Sequence, residues 1–222
     1  MKLGGVFVSI LDFLFPKRCV SCEKIGRYFC DTCRAKMRPI ADNERICPMC
    51  GRRAFEGITH PYCLTRYGID GLTSFFHYDG PVQKGIKAIK YRGVSDLAEE
   101  FIGLIKADSC LRGNDNILIP IPLHPSRFRD RGFNQAEVLA RQLHIPMRTD
   151  ILRRTKATPP QAEIKKRNER VENMEHVFVS ERNSGNFILF DDVFTTGATM
   201  RSAANVLKRA GAIRVWAVTM AR

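Results

Sequence analysis

Residues 188–200, ILFDDVFTTGATM, place two adjacent carboxylates at the end of an apolar run and follow them with a threonine- and glycine-rich turn. The apolar run reads as a fully buried strand and the residues from Thr199 onward as an amphipathic helix, so the turn lies at a helix N-terminus. Backbone N–H groups around Thr195 to Thr199, helped by the positive end of the helix dipole, then make an anion site. The hydroxyls of Thr195, Thr196 and Thr199 can donate to phosphate oxygens, and Gly197 lets the backbone come close. Asp191 and Asp192 would repel a phosphate aimed at them. As pure acceptors they suit the vicinal hydroxyls of a sugar whose 5′-phosphate rests on the turn.

A second set of chemically competent residues lies near the other end of the chain. Seven of the eight cysteines fall between Cys19 and Cys63, in a segment with little apolar periodicity. Cys19-x-x-Cys22 and Cys30-x-x-Cys33 are two knuckles able to close a four-thiolate tetrahedral Zn²⁺ site. Cys47-x-x-Cys50 supplies another knuckle, and in place of a fourth C-x-x-C stands His60-Pro-Tyr-Cys63, which offers an imidazole at the same offset. A neutral imidazole is a competent substitute for a thiolate, so Cys47, Cys50, His60 and Cys63 form the second site. Spacing leaves open whether the pairs close sequentially or interleaved. Neither set has an open coordination position, so both zinc ions are expected to be structural, and the segment is not expected to fold without them. Cys110 stands alone and is expected to pack as a small hydrophobe.

The 188–200 segment resembles the phosphoribosyl pyrophosphate (PRPP) motif of type I phosphoribosyltransferases, an apolar strand and two acids leading into D-x-x-TTG-x-T. The resemblance implies that Asp191 and Asp192 hold the ribose 2′- and 3′-hydroxyls. It also implies that Thr195, Thr196, Gly197, Ala198 and Thr199 hold the 5′-phosphate and that Mg²⁺ arrives with PRPP. In that fold the loop after an earlier strand lies against the pyrophosphate. PIPLHPSRFRDRGFNQA, residues 120–136, occupies this place, with Leu123, His124 and Arg131 as the implied contacts. Arg127 and Arg129, taken singly, read as surface charges. The segment before the last motif, residues 153–173, corresponds to a lid that closes over PRPP and excludes water, with Lys156, Gln161 and Arg170 reaching the ligand.

Several shorter segments carry a likeness that runs along most of the chain. The block Arg131-Gly132-Phe133-Asn134-Gln135 with PIP upstream, KYRG at 90–93, and RRTKATPPQ at 153–161 leading to Arg170, Asn173 and Val177-Phe178 are similar to the ComF/GntX-type competence protein family. That family joins a double Zn-ribbon to a phosphoribosyltransferase-like domain. His60 departs from its pattern, where a cysteine is usual. The resemblance implies a PRPP-binding protein acting in natural transformation, in the cytoplasmic handling of incoming single-stranded DNA, with DNA-uptake or helicase proteins as partners. A catalytic phosphoribosyltransferase of nucleotide metabolism and a PRPP-sensing regulator are the alternatives. No general base can be named, and no nucleobase-reading segment is recognisable.

These groups need elements to position them. LTSFFHY (72–78), NILIPI (116–121), NFILF (186–190) and IRVWAVTM (213–220) read as strands. Helical spacing runs from Val82 to Lys106, through Asn134 to Leu143, and from Thr199 to Arg209. Alternating strands and helices predict an α/β fold, a parallel sheet flanked by helices, here with an N-terminal Zn-ribbon module. The expected boundaries are an amphipathic helix over 1–16, the double ribbon over 17–68 and the phosphoribosyltransferase-like domain over 69–222. The opening run 3–15 is interrupted by Asp12 and lacks a cleavage site, and no stretch approaches the ~20 apolar residues of a membrane span. Export is therefore not expected, and a reducing cytoplasm favours metal over disulfides. The net charge of +13 divides as +6 over residues 1–66 (12 Lys/Arg against six Asp/Glu), +1 over 67–150 (11 against 10) and +6 over 151–222 (13 against seven). Such clustering suits phosphate-bearing partners.

Overall fold

The computed structural model describes residues 16–92, 95–105, 116–155 and 177–222. It is a mixed α/β structure. After a short helix α1 (Asp31–Arg34) among the cysteines come β1 (Gly71–Phe76), α2 (Gly80–Arg92), α3 (Ser95–Ile102), β2 (Asn116–Pro120), α4 (Pro125–Arg131) and α5 (Gln135–Arg141). They are followed by β3 (Leu152–Arg154), β4 (Phe178–Ser180), β5 (Gly185–Val193), α6 (Ala198–Arg209) and β6 (Ala212–Ala221). Four strands form one sheet in the order β1-β6-β5-β2, every pair parallel. β3 and β4 form a separate antiparallel pair.

The sheet has hydrophobic layers on both faces, which is why β5 reads as an unbroken apolar run instead of an alternation. Ile188 and Phe190 of β5 join Trp216, Val218 and Met220 of β6 on one face. They pack there with Val82, Ile86 and Ile89 of α2, Phe101 of α3 and Leu139 of α5. Phe187 and Leu189 point the other way, onto Met200, Ala203 and Leu207 of α6. The period of two in β5 thus survives as a choice of core, not a choice between core and water. The expected continuous helical spacing from Val82 to Lys106 resolves into α2 and α3, and Lys106 lies outside the described residues.

The cysteine segment is not a free appendage. Phe29 is fully buried in the core beneath the sheet, with its ring centroid 5.0 Å from that of Phe101. The Glu100 carboxylate of α3 accepts from the amides of Tyr28 and Phe29 at 3.0 and 2.9 Å. Backbone bridges join Pro39 to Phe76 and Ile58 to Gly71. The Arg201 Nη1 of α6 donates to the Pro48 carbonyl at 3.0 Å. The expected N-terminal helix, Cys110 and the lid residues Lys156, Gln161 and Arg170 all lie outside the described residues. Either side of that last segment the chain is tied together, with the Thr155 amide donating to the Val177 carbonyl at 2.8 Å beside the β3–β4 pair. No helix among the described residues is long and apolar enough to cross a membrane.

Candidate functional site

Open parallel sheets gather ligand-binding groups outside the carboxyl ends of their strands. Here a cleft of about 470 Å³ lies there, lined by the ends of β5 and β3, the loop after β2, one face of α2 and the first turn of α6. Asp191 and Asp192 sit near the end of β5, where Asp191 pairs in register with Thr219 of β6. Both acids line the cleft. They differ in surroundings. Asp192 is buried, and its Oδ2 lies 2.5 Å from Lys90 Nζ. Asp191 is half-buried and accepts the Asp192 amide on Oδ1 at 2.8 Å. Burial, then the adjacent Asp192 charge, push the Asp191 carboxyl well above the ordinary carboxylate range. Burial works against the Lys90 ammonium, but the charge and hydrogen bond of Asp192 override it and hold that lysine above its ordinary value.

The turn that follows requires its glycine. Gly197 has φ +73°, the left-handed region, and a Cβ built there would lie 2.4 Å from Phe194 Cζ and 2.7 Å from Arg201 Nη1. It caps the N-terminus of α6, whose first amides lack intrahelical acceptors by construction. Thr195, Gly197 and Thr199 line the cleft beside the acids. Thr196 and Ala198 are not among its lining residues, and the Thr196 hydroxyl accepts the Ala198 amide at 3.4 Å.

The loop after β2 is held by Asn134, which caps α5 by accepting from the Ala136 amide at 3.1 Å and donates to the Ile121 carbonyl at 3.0 Å. Of the residues expected to meet pyrophosphate, Leu123 lines the cleft. His124 instead caps α4, its Nδ1 accepting the Ser126 amide at 3.2 Å, and the Arg131 guanidinium is hydrogen-bonded to Gln135. Neither lines the cleft. The cations that do are Lys87 and Lys90 of α2, Arg127 of α4 and Arg154 of β3. Burial lowers the Arg154 pKa, the nearby Arg127 charge lowers it further, and Asp191 opposes both. Two guanidiniums turned toward one space is an arrangement that an anion relieves.

Lys90, Tyr78 and Tyr91 are not among the site residues expected from the sequence, and Arg154 falls in the expected lid segment without a named contact. Arg127, which taken singly reads as a surface charge, instead lines the cleft from α4. A lysine directly after the buried Ile89 was the available signal for Lys90, since α2 otherwise buries Val82, Ile86 and Ile89 at helical spacing.

The cysteines close sequentially. Ligand atoms of Cys19, Cys22, Cys30 and Cys33 lie within 4.8 Å of one another, as do those of Cys47, Cys50, His60 and Cys63. Cys22 Sγ and Cys30 Sγ are 3.6 Å apart, close to the ~3.8 Å between two sulfurs on a tetrahedral zinc. Cys50 Sγ and His60 Nδ1 are 3.4 Å apart. His60 Nε2 lies 2.8 Å from the Arg53 carbonyl, so that nitrogen carries the proton and Nδ1 is left as the ligand. Burial opposes ionisation of Cys19, but the amides of Cys30, Cys22 and Ser21 outweigh it and bring the thiol down to about 6. Cys33, raised by burial and by neighbouring thiols, stands at about 12. Four thiols compete for negative charge that a dication would let them all carry. The donor set and its spacing fit zinc.

Residues 10–65 match the family model described as a double zinc ribbon domain. The chain is 32% identical over 194 residues to Competence protein ComFC of Bacillus subtilis, a match covering 82% of this chain and 78% of that relative. It is 28% identical over 209 residues to DNA utilization protein YhgH of Escherichia coli K12, covering 83% of this chain and 88% of the relative. Competence protein F of Haemophilus influenzae is 33% identical over 115 residues, covering 47% and 50%.

Proposed function

Because this chain belongs to the ComF-type competence protein family, we propose that it is a PRPP-binding, phosphoribosyltransferase-like protein of natural transformation that handles incoming single-stranded DNA. The names of its relatives, competence protein and DNA utilization protein, support the role in DNA uptake. The observation that carries the ligand is the single cleft that joins Asp191 and Asp192 to the turn at Thr195, Gly197 and Thr199. A ribose 5-phosphate laid across it puts its 2′- and 3′-hydroxyls against the acids and its phosphate on the first turn of α6, where amides and helix dipole meet it.

In this reading Lys90 offsets the charge of Asp192, so that a polyanion can enter a cleft that contains two carboxylates. Arg127 and Arg154 face the pyrophosphate of PRPP, and Mg²⁺ enters on that pyrophosphate. The expected lid residues Lys156, Gln161 and Arg170 belong to the same proposal. The two zinc ribbons hold the N-terminal segment in shape and present its arginines to nucleic acid.

Calorimetric titration with PRPP–Mg²⁺ tests the ligand. Wild type is expected to bind with one site per chain, and the Asp191→Ala/Asp192→Ala variant to lose at least ten-fold in affinity, consistent with hydrogen bonds to charged acceptors. Equal binding by both proteins would contradict the proposal. Pyrophosphate release with a panel of nucleobases separates ligand binding from turnover: sustained release with one base would make the protein a catalytic phosphoribosyltransferase.

A further inference from the structure

We propose that Arg201 is a positioning residue tying the second zinc knuckle to the first turn of α6, so that metal at Cys47, Cys50, His60 and Cys63 and an anion on that turn reinforce each other. This coupling rests on the sugar-phosphate reading of the turn and supplies a means of regulating it.

α6 begins at Ala198 with Gly197 as its cap, so Arg201 is the fourth residue of the helix. Side chains lean toward the N-terminus of a helix, which carries the Arg201 guanidinium back over the turn. A Cβ placed on Gly197 would lie 2.7 Å from Arg201 Nη1, and the Arg201 amide donates to the Gly197 carbonyl at 2.9 Å. The guanidinium thus fills room that the glycine leaves. Arg201 is not among the residues lining the cleft, so it acts on the turn and not on a ligand. A cation so close to a helix N-terminus also meets the positive end of the dipole, an unfavourable place. One compensation comes from outside the helix, where Nη1 donates to the Pro48 carbonyl at 3.0 Å.

Pro48 is buried and stands between Cys47 and Cys50, two of the four ligand residues of the second site. Cys47 is itself fully buried, and its carbonyl accepts the Gly51 amide at 2.9 Å, which closes the knuckle. Ile46 and Met49, on either side of Cys47-Pro48, pack against the core cluster that contains Phe194, Met200 and Ala203. The knuckle therefore rests on the start of α6 through apolar contact and through a hydrogen bond from a charged donor.

A metal holding the knuckle fixes the direction of the Pro48 carbonyl. Without it the thiols and the imidazole relax apart, the carbonyl loses its aim, and the turn that Arg201 grips loosens. An anion on the turn works in the reverse direction, fixing Arg201 and through it the knuckle. Such coupling is reciprocal by thermodynamic necessity. The first zinc site provides an internal control. It joins the core through Phe29, which packs with Phe101 on the opposite face of the sheet from α6.

The test uses the full-length chain and measures the zinc affinity of each site by equilibrium competition with a chromophoric chelator. The transition of the second site is the one missing from His60→Ala. Arg201→Ala is expected to bind zinc there about five-fold more weakly or worse, with the first site unaltered, and Arg201→Lys, which keeps a cationic donor, to restore most of the affinity. Saturating ribose 5-phosphate is expected to tighten the second site of wild type about five-fold, and to change that of Arg201→Ala by less than about two-fold. Equal second-site affinities in ligand-free wild type and Arg201→Ala, or equal weakening of both sites, would overturn the role of Arg201. Ribose 5-phosphate that binds in calorimetry yet leaves the second-site affinity of wild type unchanged would overturn the coupling while the sugar-phosphate reading stands. Failure of ribose 5-phosphate to bind zinc-loaded wild type in calorimetry would remove that reading and the coupling with it.

Discussion

Asp191 and Asp192 are neighbours in the chain but differ in electrostatic condition, and that difference has a measurable consequence. Asp192 is held by Lys90, whereas Asp191 has its proton affinity raised first by burial and then by the charge next to it. A carboxyl raised in the folded state binds its proton more tightly there than in the unfolded chain. Between its ordinary and its raised pKa the native state therefore holds more protons, and stability falls as pH rises through that window. Asp191→Asn keeps the shape, retains the acceptor for the Asp192 amide and removes the titration. Its thermal midpoint is expected to exceed that of wild type at pH 8 and to converge with it near pH 4; a difference constant across that range would contradict the assignment. Gly197→Ala acts by another route. At φ +73°, with Phe194 Cζ 2.4 Å from the added Cβ, it should cost about 1–3 kcal/mol in chemical denaturation and abolish phosphate binding. Both positions were legible in the sequence, because strand, acids, turn and helix are contiguous. Lys90, Arg127 and Arg154 were not, because each reaches the cleft from a different element, and the sequence does not show which elements stand beside the end of β5.

At the scale of elements, the sequence showed the strands and the parallel sheet but not their order, since β1-β6-β5-β2 is fixed in part by pairings between residues more than a hundred positions apart. The helix α4 was missed because Pro125 begins it and charged residues fill it, and its start depends on a histidine cap. The cysteine pairs were legible as ligands, but their sequential closure needed the fold. Zinc quantification is expected to give two ions per chain in wild type, two in His60→Cys and one in His60→Ala. Equal metal content in the two His60 variants would remove His60 from the second site. The seam between ribbon and sheet depends on a missing side chain. A Cβ on Gly85 of α2 would lie 2.6 Å from Phe29 Cζ, deep in a packed core. Gly85→Ala should therefore destabilise the protein by about 1–3 kcal/mol in denaturant titration, and a neutral result would mean that Phe29 is not seated there.

Across the whole molecule, the positive charge and the anion cleft are separable features. The second ribbon carries exposed Arg52, Arg53 and Arg66, far in sequence from Asp191 and Asp192. If those arginines meet single-stranded DNA, replacing all three by alanine should make the slope of log affinity against log salt shallower by about 0.7 for each phosphate no longer neutralised. The Asp191→Ala/Asp192→Ala variant should leave that slope unaltered, and a slope that fails to respond to the arginines would place DNA elsewhere. The proposed ribose site is narrower, sugar hydroxyls against the paired acids. It is tested most directly by a thermodynamic cycle comparing ribose 5-phosphate with 2-deoxyribose 5-phosphate on wild type and on Asp191→Ala/Asp192→Ala. Wild type is expected to bind about ten-fold more weakly when the 2-hydroxyl is removed, and the variant to bind both sugars alike. The same ten-fold drop in both proteins would show that the hydroxyl is read by some other group.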